Sequence, residues 1–359
     1  MGVKIHDLTT PALIASSKAI SENLLTMSKA RPGDALRPHV KAHKCTSMAK
    51  LQKAHGHLNF TCATVREALG MAQAGLGNDL LIANEILDVA SLNRLAELTT
   101  DISAQITLAV DSIETIDALC KSPIKQVLID VNVGLPRCGC EPSQAGELAQ
   151  LARSRGLLVR GVMGYEGHCV GLEDRSQRLD QVTTSMELLI EAHRDVGGEI
   201  ISAGGTGTYD INRWANEIQA GSYVFMDSAY AKLGLPFHNS LAVLSTIISA
   251  SQQGWMVCDT GLKSLGMDHG NPSITGAQVW FCSDEHTTFA LASEGERQAS
   301  YTIAPEIELP VHSSSTIGEK ITVIPAHIDP TIAYHDVIYI ISGDDVIDQW
   351  PIDLKGWAI

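Results

Sequence analysis

Short apolar runs alternate with longer amphipathic stretches from residue 36 to residue 226. The stretches between the runs space their apolar residues as helices do, for example Val65–Ala74, Leu87–Leu98, Ser143–Ser154 and Arg175–Val196. Strands that alternate with helices predict parallel pairing, and eight such units predict a closed (β/α)8 barrel of the TIM type. An open doubly wound sheet is the alternative, although no G-x-G-x-x-G follows the first strand. The eight runs are Leu36–Lys41, Asn59–Thr64, Asp79–Asn84, Gln105–Asp111, Gln126–Val133, Leu157–Tyr165, Glu199–Ala203 and Ile218–Met226.

The pattern changes after about Gly234, where short β-rich runs are broken by Gly, Pro, Asn and Asp. Such runs predict an antiparallel β domain. We therefore assign residues 10–234 to the barrel, and residues 1–9 and 235–359 to the β domain. The apolar run Ala12–Ser16 precedes the eight strands and fits either domain. The β-rich runs are Ala242–Ser249, Trp255–Asp259, Gln278–Phe281, Thr287–Leu291, Lys320–Ile324 and Val337–Ile341.

Composition and charge narrow the classes of partner. The 26 Lys and Arg residues stand against 41 Asp and Glu residues, and the formal net charge of −15 argues against nucleic acid. No window approaches the roughly 18 apolar residues that a membrane span needs, and the N-terminus lacks a signal-peptide pattern. The eight scattered cysteines favour free thiols in a reducing compartment. We expect a cytoplasmic protein that binds neither nucleic acid nor membrane.

The most informative segment runs from Arg37 to Lys44 and contains two lysines, two histidines and an arginine. It contains the end of a predicted barrel strand and precedes a helical pattern, and chemistry in α/β proteins lies at the carboxyl ends of strands. A lysine such as Lys41, crowded by other cations, has a lowered pKa and a nucleophilic amine. The alternative is a solvated basic turn.

Two glycine-rich turns occur late in the predicted barrel, one after the seventh strand and one within the run predicted as the eighth. The first is Gly204-Gly205-Thr206-Gly207-Thr208, and the second is Gln219-Ala220-Gly221-Ser222-Tyr223. Glycines permit close backbone approach, and successive N–H groups bind phosphate. Late strands of TIM barrels commonly carry a phosphate site, so the pair of turns favours phosphate binding.

Two other strand ends carry polar residues that suit an aromatic ligand. Arg137 follows the fifth predicted strand, and an arginine there holds a phenolate or carboxylate. Tyr165 ends the sixth predicted strand, and a tyrosine there stacks on a ring or donates a hydrogen bond to it. A surface arginine and a half-buried tyrosine are the alternatives.

The segment from Pro325 to Thr331 contains His327 and Asp329, two residues apart. On a strand they would point to the same face and share one metal ion. Imidazole with carboxylate suits Mn²⁺ or Mg²⁺ at least as well as Zn²⁺. Two ligands do not complete a site. The candidate third ligands are His43, His168, His269 and His286.

These motifs together resemble the D-threonine aldolase and D-serine dehydratase family, which are fold-type III pyridoxal-phosphate enzymes related to alanine racemase. The resemblance runs from Thr10 to about Asp336 and keeps the order of the motifs. It implies an alanine racemase-like barrel followed by a β domain, a D-amino acid substrate and a homodimer. The motifs are Pro38–Lys44, Gly204–Thr208, Glu217–Asp227, Asp259–Ser264, Ser283–His286 and Pro325–Thr331.

Matched position by position, the resemblance implies a role for each site residue. Lys41 would carry the Schiff base with pyridoxal 5′-phosphate. Arg137 would face the phenolic oxygen of the cofactor, and Tyr165 would lie beside its ring. His327 and Asp329 would bind the divalent metal. The residues implied around the phosphate are Gly205, Thr206, Gly221, Ser222 and Tyr223.

Two details bear on the reaction. Family aldolases carry a histidine a few residues beyond the Tyr-x-Gly turn, and here His168 follows Gly167 directly. This placement departs from the family pattern, and the candidate bases for the substrate hydroxyl are His168 and a metal-bound water. Family dehydratases typically carry His-x-Cys at the metal and hold zinc, whereas this chain has His327-x-Asp329, the aldolase pattern. The pattern favours retro-aldol cleavage of a D-3-hydroxy amino acid such as D-threonine.

Other activities stay open at this point. A dehydratase acting on D-serine or D-3-hydroxyaspartate uses the same residues and removes the Cα proton first. A racemase needs a second base, for which Tyr301, Tyr334 and Tyr339 are available in the β domain. A non-catalytic pyridoxal-phosphate carrier usually lacks the second domain, so the region from about Leu235 counts against it.

Overall fold

The computed structural model describes residues 2–101, 103–292 and 302–358. Tyr301, one of the candidate second bases, lies outside these residues. The chain forms two compact units. The barrel unit comprises Met27–Gly221 and Leu354–Ile359, and the β unit comprises Met1–Thr26 and Ser222–Asp353. The domain ranges 10–234 and 235–359 stay predictions.

Helices and strands alternate through the barrel unit, and strands predominate in the β unit. The helices are α1 (Ser17–Ala30), α2 (Thr46–Ala54), α3 (Val65–Gln73), α4 (Val89–Asp101), α5 (Ile113–Cys120), α6 (Ala145–Ser154), α7 (Arg175–Val196), α8 (Ser228–Ala231) and α9 (Ile328–Ala333). The strands are β1 (Ala12–Ser16), β2 (Asn59–Cys62), β3 (Asp79–Ile82), β4 (Ile106–Val110), β5 (Gln126–Asp130), β6 (Leu158–Gly164), β7 (Ile200–Ala203), β8 (Glu217–Ile218), β9 (Leu241–Ala250), β10 (Trp255–Cys258), β11 (Ala277–Cys282), β12 (Thr287–Leu291), β13 (Lys320–Val323), β14 (Val337–Ser342) and β15 (Asp345–Pro351).

The barrel unit contains one parallel sheet in which β2 to β8 pair in chain order. Each strand connects to the next through a crossover, as parallel pairing requires. One side chain from each of β3 to β7 joins a buried apolar cluster. The predicted class, an α/β barrel with a separate antiparallel β domain, is confirmed. The cluster consists of Leu81, Ala109, Leu128, Met163 and Ile200.

The predicted first strand, Leu36–Lys41, is wrong as a regular strand. Its extended part makes single parallel bridges from Leu36 to Ile218 of β8 and from His39 to Thr61 of β2. It then enters a 3₁₀ turn at Val40–Ala42. Pro38 has no N–H to give to a ladder, which limits regular pairing here. The segment nonetheless links the first and last strands of the parallel sheet.

Arg37 anchors this segment inside the barrel unit. Its guanidinium is 2% exposed and pairs with Asp79 at 3.2 Å and Glu217 at 2.8 Å. Burial alone would lower the pKa of Arg37, but the two carboxylates outweigh burial and raise it. The backbone leading to Lys41 is therefore held from both sides by buried charge pairs.

The predicted eighth strand, Ile218–Met226, is also shorter than expected. Strand β8 ends at Ile218, and a 3₁₀ turn occupies Ser222–Val224. A side chain at Gly221 would place its Cβ only 2.5 Å from the carbonyl oxygen of His39. The close approach of two backbones replaces the strand at this point.

The β unit contains an eight-stranded sheet in the order β11-β12-β10-β9-β1-β14-β15, with β13 paired to β9. Strand β1 pairs antiparallel with β9 and parallel with β14, which settles the placement of Ala12–Ser16 in this sheet. The other pairings are antiparallel. Strand β15 and helix α9 were not predicted.

No helix in the described part of the chain combines the length and the hydrophobicity of a membrane span.

Candidate active site

Lys41 follows the extended segment that lies between β8 and β2. Thr61 N–H donates to the carbonyl of Pro38 at 2.9 Å, and His39 N–H donates to the carbonyl of Ala220 at 3.1 Å. Both contacts lie near the carboxyl ends of the flanking strands. Lys41 therefore lies at the edge of the parallel sheet where barrel active sites form.

The structure distinguishes Lys41 from the other lysine of the segment. Lys44 Nζ lies 2.7 Å from Oε1 of Glu67, a fully buried carboxylate. Among the described residues, no carboxylate forms an ion pair with Lys41, whose Nζ lies 5.9 Å from the centroid of the Tyr165 ring. Lys44 is thus a structural partner of Glu67, while the amine of Lys41 is available for covalent chemistry.

Two predicted cofactor residues meet Lys41 at this edge. Tyr165 directly follows β6, and its ring faces the Lys41 amine. Arg137, in the segment after β5, places its guanidinium carbon 5.3 Å from the same ring centroid. Both separations fall within the range of cation–π attraction. The structure therefore brings Lys41, Arg137 and Tyr165 together.

Positive charge is concentrated around His39, which precedes Lys41 by two residues. Burial lowers the pKa of His39 well below its usual value, and the cations of Lys41 and Lys44 lower it further. The imidazole is therefore neutral, and its Nδ1 accepts a long hydrogen bond from the Lys41 N–H at 3.5 Å. A surplus of cations with a neutral histidine suits an anionic ligand.

The first glycine-rich turn is held by Glu166, a fully buried carboxylate that was not among the predicted site residues. Glu166 accepts hydrogen bonds from Gly204 N–H at 3.0 Å, Thr208 Oγ1 at 2.9 Å and Asn212 Nδ2 at 3.0 Å. Thr208 Oγ1 in turn accepts from Gly205 N–H at 3.1 Å. Three donors thus fix the turn. The only sequence signal was the position of Glu166 next to Tyr165.

Two glycines of the predicted phosphate site lie against the other site residues. A Cβ at Gly205 would lie 3.5 Å from Cε2 of Tyr165. A Cβ at Gly221 would collide with the His39 carbonyl, two residues before Lys41. Thr206, which directly follows Gly205 in the chain, is also buried. Gly205, Gly221, Tyr165 and the Lys41 segment therefore form one group in the barrel unit.

The remaining two predicted phosphate residues begin the β unit. Ser222 and Tyr223 are buried in the 3₁₀ turn that follows Gly221. The Tyr223 ring packs against Phe237 with a centroid separation of 5.8 Å. Ser222 Oγ donates to Oδ1 of Asp329 at 3.4 Å. Ser222 thus contacts one of the two predicted metal ligands.

The local conformation predicted for the metal motif is wrong. His327 is the N-cap of α9 and Asp329 lies in its first turn, so the two residues do not alternate along a strand. Pro330 is compatible with a first helical turn because the N–H that it lacks has no partner there, and Asp329 favours the helix N-terminus. The metal role of His327 and Asp329 stays a prediction.

A second carboxylate, that of Asp227, contacts the start of helix α9. Asp227 is fully buried and accepts hydrogen bonds from Tyr230 N–H at 2.8 Å and Ile328 N–H at 3.2 Å. It therefore caps α8 and satisfies the first N–H of α9. Burial raises the pKa of Asp227 to about 7.

Ligand atoms of Asp268, His269 and His327 all lie within 4.8 Å of one another. His269 was one of the four candidate third ligands, and its ring stacks on His327 with centroids 3.9 Å apart. Asp268 was not anticipated, because its contact with His327 joins residues 59 positions apart. The sequence Asp268-His269-Gly270 was the available signal. Nitrogen and carboxylate donors suit Mn²⁺, Zn²⁺ and related cations.

The other candidate histidines have different surroundings. His43 is buried, where burial lowers its pKa to about 3, and its Nε2 lies 3.2 Å from Gln52 Oε1. His286 is exposed in the turn between β11 and β12. His168 is exposed, with Nε2 3.4 Å from Ser185 Oγ and its ring against Gly134. Its role as a base stays a prediction.

The two described tyrosines among the candidate second bases lie in the β unit. Tyr334 is 55% exposed at the end of α9. Tyr339 is half-buried in β14 and packs against an apolar cluster of the sheet. Neither observation gives them a contact with a predicted cofactor residue.

The barrel unit has the features that pyridoxal phosphate requires. The Lys41 amine has no carboxylate partner among the described residues, and Tyr165 offers a ring beside it. Gly205 carries no side chain to fill the space next to that ring, and buried hydrogen bonds to Glu166 and Thr208 hold its turn in place. Arg137 supplies a cation for an anionic oxygen. The residues therefore fit the cofactor that the resemblance implies.

Comparisons with known proteins identify the family of the chain. The family model described as "Alanine racemase, N-terminal domain" matches residues 15–229, and the "Putative serine dehydratase domain" matches residues 240–341. A D-threonine aldolase from an Arthrobacter species is 30% identical, and the alignment covers 99% of this chain and 95% of the relative. A 3-hydroxy-D-aspartate aldolase from Paracoccus denitrificans (strain Pd 1222) is 28% identical, with 99% and 94% covered.

A solved structure of a D-threonine aldolase has a similar fold. The crystal structure of a D-threonine aldolase from Filomicrobium marinum is similar with a TM-score of 0.86 and 30% identity. The match covers 100% of this chain and 98% of that one. The similarity therefore extends over both units.

Proposed function

Because the chain belongs to the D-threonine aldolase and D-serine dehydratase family of pyridoxal-phosphate lyases, we propose that it cleaves D-3-hydroxy amino acids to glycine and an aldehyde. D-Threonine is the model substrate, and a divalent cation assists the reaction. The observation that carries the proposal is the convergence of Lys41, Arg137 and Tyr165. The His327-x-Asp329 motif, which matches the aldolase pattern, favours the retro-aldol outcome.

The barrel residues would bind and orient the cofactor. The Lys41 amine would bond to its aldehyde carbon, Arg137 would face its phenolic oxygen, and Tyr165 would pack beside its ring. Backbone N–H groups near Gly205, Thr206 and the Gly221–Tyr223 turn would hold the phosphate. When bound, pyridoxal phosphate accepts the electrons released by breaking a bond at the substrate Cα.

The metal residues would act on the β-hydroxyl of the substrate. His327 and Asp329 would hold Mn²⁺ or Mg²⁺, with Zn²⁺ as the alternative. The cation would supply Lewis acidity that lowers the pKa of the hydroxyl. His168 is the proposed base for the hydroxyl proton. Removal of that proton favours Cα–Cβ cleavage, whereas removal of the Cα proton favours loss of water.

The second candidate is a dehydratase acting on D-serine or D-3-hydroxyaspartate. It is favoured by the match of the β unit to a putative serine dehydratase domain. The same lysine, cofactor residues and metal residues serve both reactions, so the products distinguish them.

The decisive assay incubates the protein with D-threonine, pyridoxal phosphate and Mn²⁺ and identifies the products by mass spectrometry. We expect glycine and acetaldehyde in equal amounts. If the products are 2-oxobutanoate and ammonia, the protein is a dehydratase and the aldolase assignment is wrong. Inversion of D-threonine at Cα, or no turnover of any D-3-hydroxy amino acid, would contradict both lyase assignments. L-Threonine as the starting substrate is the control and should not react.

Glu166 provides a separate test of the glycine turn. The variant Glu166→Gln exchanges one acceptor oxygen for a donor, so at least one of the three buried donors is left unsatisfied. Such a loss costs about 1–3 kcal/mol. We expect roughly tenfold weaker binding of pyridoxal phosphate, measured by absorbance titration of the cofactor-free protein. Glu173→Gln, at an exposed position of the following loop, is the matched control. Equal affinities would exclude Glu166 as the support of a phosphate site.

We further propose a homodimer in the cytoplasm. Light scattering on the purified protein tests the first statement, and fractionation of cells tests the second.

A further inference from the structure

The turn that carries Asp268 is fixed against the start of α9. Gly266 forms an antiparallel bridge with His327, and its N–H donates to Thr331 Oγ1 at 2.9 Å. The Thr331 hydroxyl in turn donates to the carbonyl of His327 at 2.7 Å. A Cβ at Gly266 would lie 2.2 Å from Pro330, so only glycine permits this approach. These contacts therefore fix the position of the turn that carries Asp268 relative to the backbone of His327.

Asp268 makes a short hydrogen bond across this junction. Its Oδ2 lies 2.6 Å from Nδ1 of His327. A carboxylate only accepts hydrogen bonds, so the proton of a neutral His327 ring lies on Nδ1. The lone pair of the ring is then on Nε2. This hydrogen bond therefore favours Nε2 as the nitrogen that binds a cation.

A second contact restrains the same ring. The His269 imidazole stacks on His327 with ring centroids 3.9 Å apart and an angle of 6° between the planes. Rotation of the His327 ring would break both the stack and the hydrogen bond. His327 is therefore restrained from two directions by residues of one turn.

We propose that Asp268 is a positioning residue that holds His327 as the Nδ1–H tautomer, with Nε2 directed to the divalent cation. The inference rests on the proposed metal role of His327. Carboxylate–histidine–metal arrangements of this kind raise the basicity of the ligand and fix its orientation. Direct coordination of one cation by both Asp268 Oδ2 and His327 Nδ1 fits the distance less well. Two ligands at right angles, each about 2.1 Å from a cation, are about 3.0 Å apart, and Oδ2 and Nδ1 are closer than that.

The first test uses metal-free protein with ¹⁵N-labelled histidine. Long-range ¹H–¹⁵N NMR spectra distinguish the two neutral tautomers, and comparison with His327→Gln assigns the signals. We expect the Nδ1–H tautomer at His327 in the wild-type protein and a shift of the population toward Nε2–H in Asp268→Ala. An Nε2–H tautomer in the wild-type protein, or spectra unchanged by Asp268→Ala, would overturn the inference.

The second test measures Mn²⁺ binding by electron paramagnetic resonance titration. Asp268→Ala should weaken binding about 10- to 100-fold, the usual cost of losing the partner of a metal-bound histidine. Asp268→Asn keeps an acceptor oxygen and should recover part of the affinity. Asp344→Ala removes an exposed carboxylate of the same unit and should bind as the wild type does.

The outcomes separate this inference from the proposed function. Wild-type protein that binds Mn²⁺ through His327, with affinity unchanged by Asp268→Ala, would contradict the positioning role alone. Wild-type protein that binds no Mn²⁺ would contradict the metal role itself and the inference with it. Asp268→Asn that binds as weakly as Asp268→Ala would also count against a hydrogen-bonding role.

Discussion

Replacing Lys41 by alanine is expected to abolish both activity and retention of the cofactor. The amine lies by the Tyr165 ring without a carboxylate partner among the described residues, so its loss removes the covalent attachment. We expect turnover to fall by roughly 10³-fold or more, about 4 kcal/mol in the barrier. Activity assays and the visible absorbance of the dialysed protein measure the two effects.

Two further variants separate covalent chemistry from charge. Lys41→Arg keeps a cation near Tyr165 but cannot condense with an aldehyde, so we expect it to be as inactive as Lys41→Ala. Lys50→Ala removes an exposed lysine of the neighbouring helix α2 and should behave as the wild type does. A Lys41→Ala protein that keeps the cofactor absorbance after dialysis would contradict the assignment.

Removal of the divalent cation is expected to have the second largest effect. Lewis acid stabilisation of a developing oxyanion is worth several kcal/mol, so chelation should lower turnover by roughly 10²-fold or more. The cofactor absorbance should remain. The proposed cofactor residues Lys41, Arg137 and Tyr165 belong to the barrel unit, whereas the proposed metal ligands belong to the β unit. Added Mn²⁺ or Mg²⁺ should restore the activity of the wild type.

The variant His327→Ala should reproduce the effect of chelation without recovery by added metal. His312→Ala removes an exposed histidine of the same unit and is the matched control. Steady-state kinetics before and after dialysis against EDTA give the comparison. Full activity after thorough chelation would remove the metal role of His327 and Asp329.

The regular parts of the fold could be predicted because their signals are local. Helix α7 has the predicted bounds, Arg175–Val196, since Asp174 caps its first turn and Gly197 ends it at a positive φ of 68°. Strand β5 begins at the predicted residue, Gln126, where a buried apolar run starts. Periodicity, caps and glycine breaks carry this information within a few residues.

The predictions failed where distant backbone contacts replace local preference. The segment from Leu36 to Lys41 is apolar enough for a strand, but Pro38 and the approach of Gly221 leave only single bridges. The His327 motif alternates as a strand would, yet it begins α9, with Asp227 accepting the N–H of Ile328. Gly221 and Asp227 are remote in sequence from the segments that they contact, so no local pattern reveals those contacts, whereas Pro38 is a local signal against a regular strand.

The candidate site shows the same division. Motifs identified Lys41, Arg137 and Tyr165, and the structure brings their side chains together. Glu166 and Asp268 were missed because their importance lies in hydrogen bonds to residues 38 to 59 positions away. A single carboxylate in a sequence does not show which donors it will meet.

The most direct test of the account is reduction of the purified protein with borohydride, followed by digestion and mass mapping. We expect a single lysine to carry the reduced pyridoxyl group, and that lysine to be Lys41. An adduct on Lys44 or on any other lysine, or protein that traps no cofactor at all, would contradict the central claim.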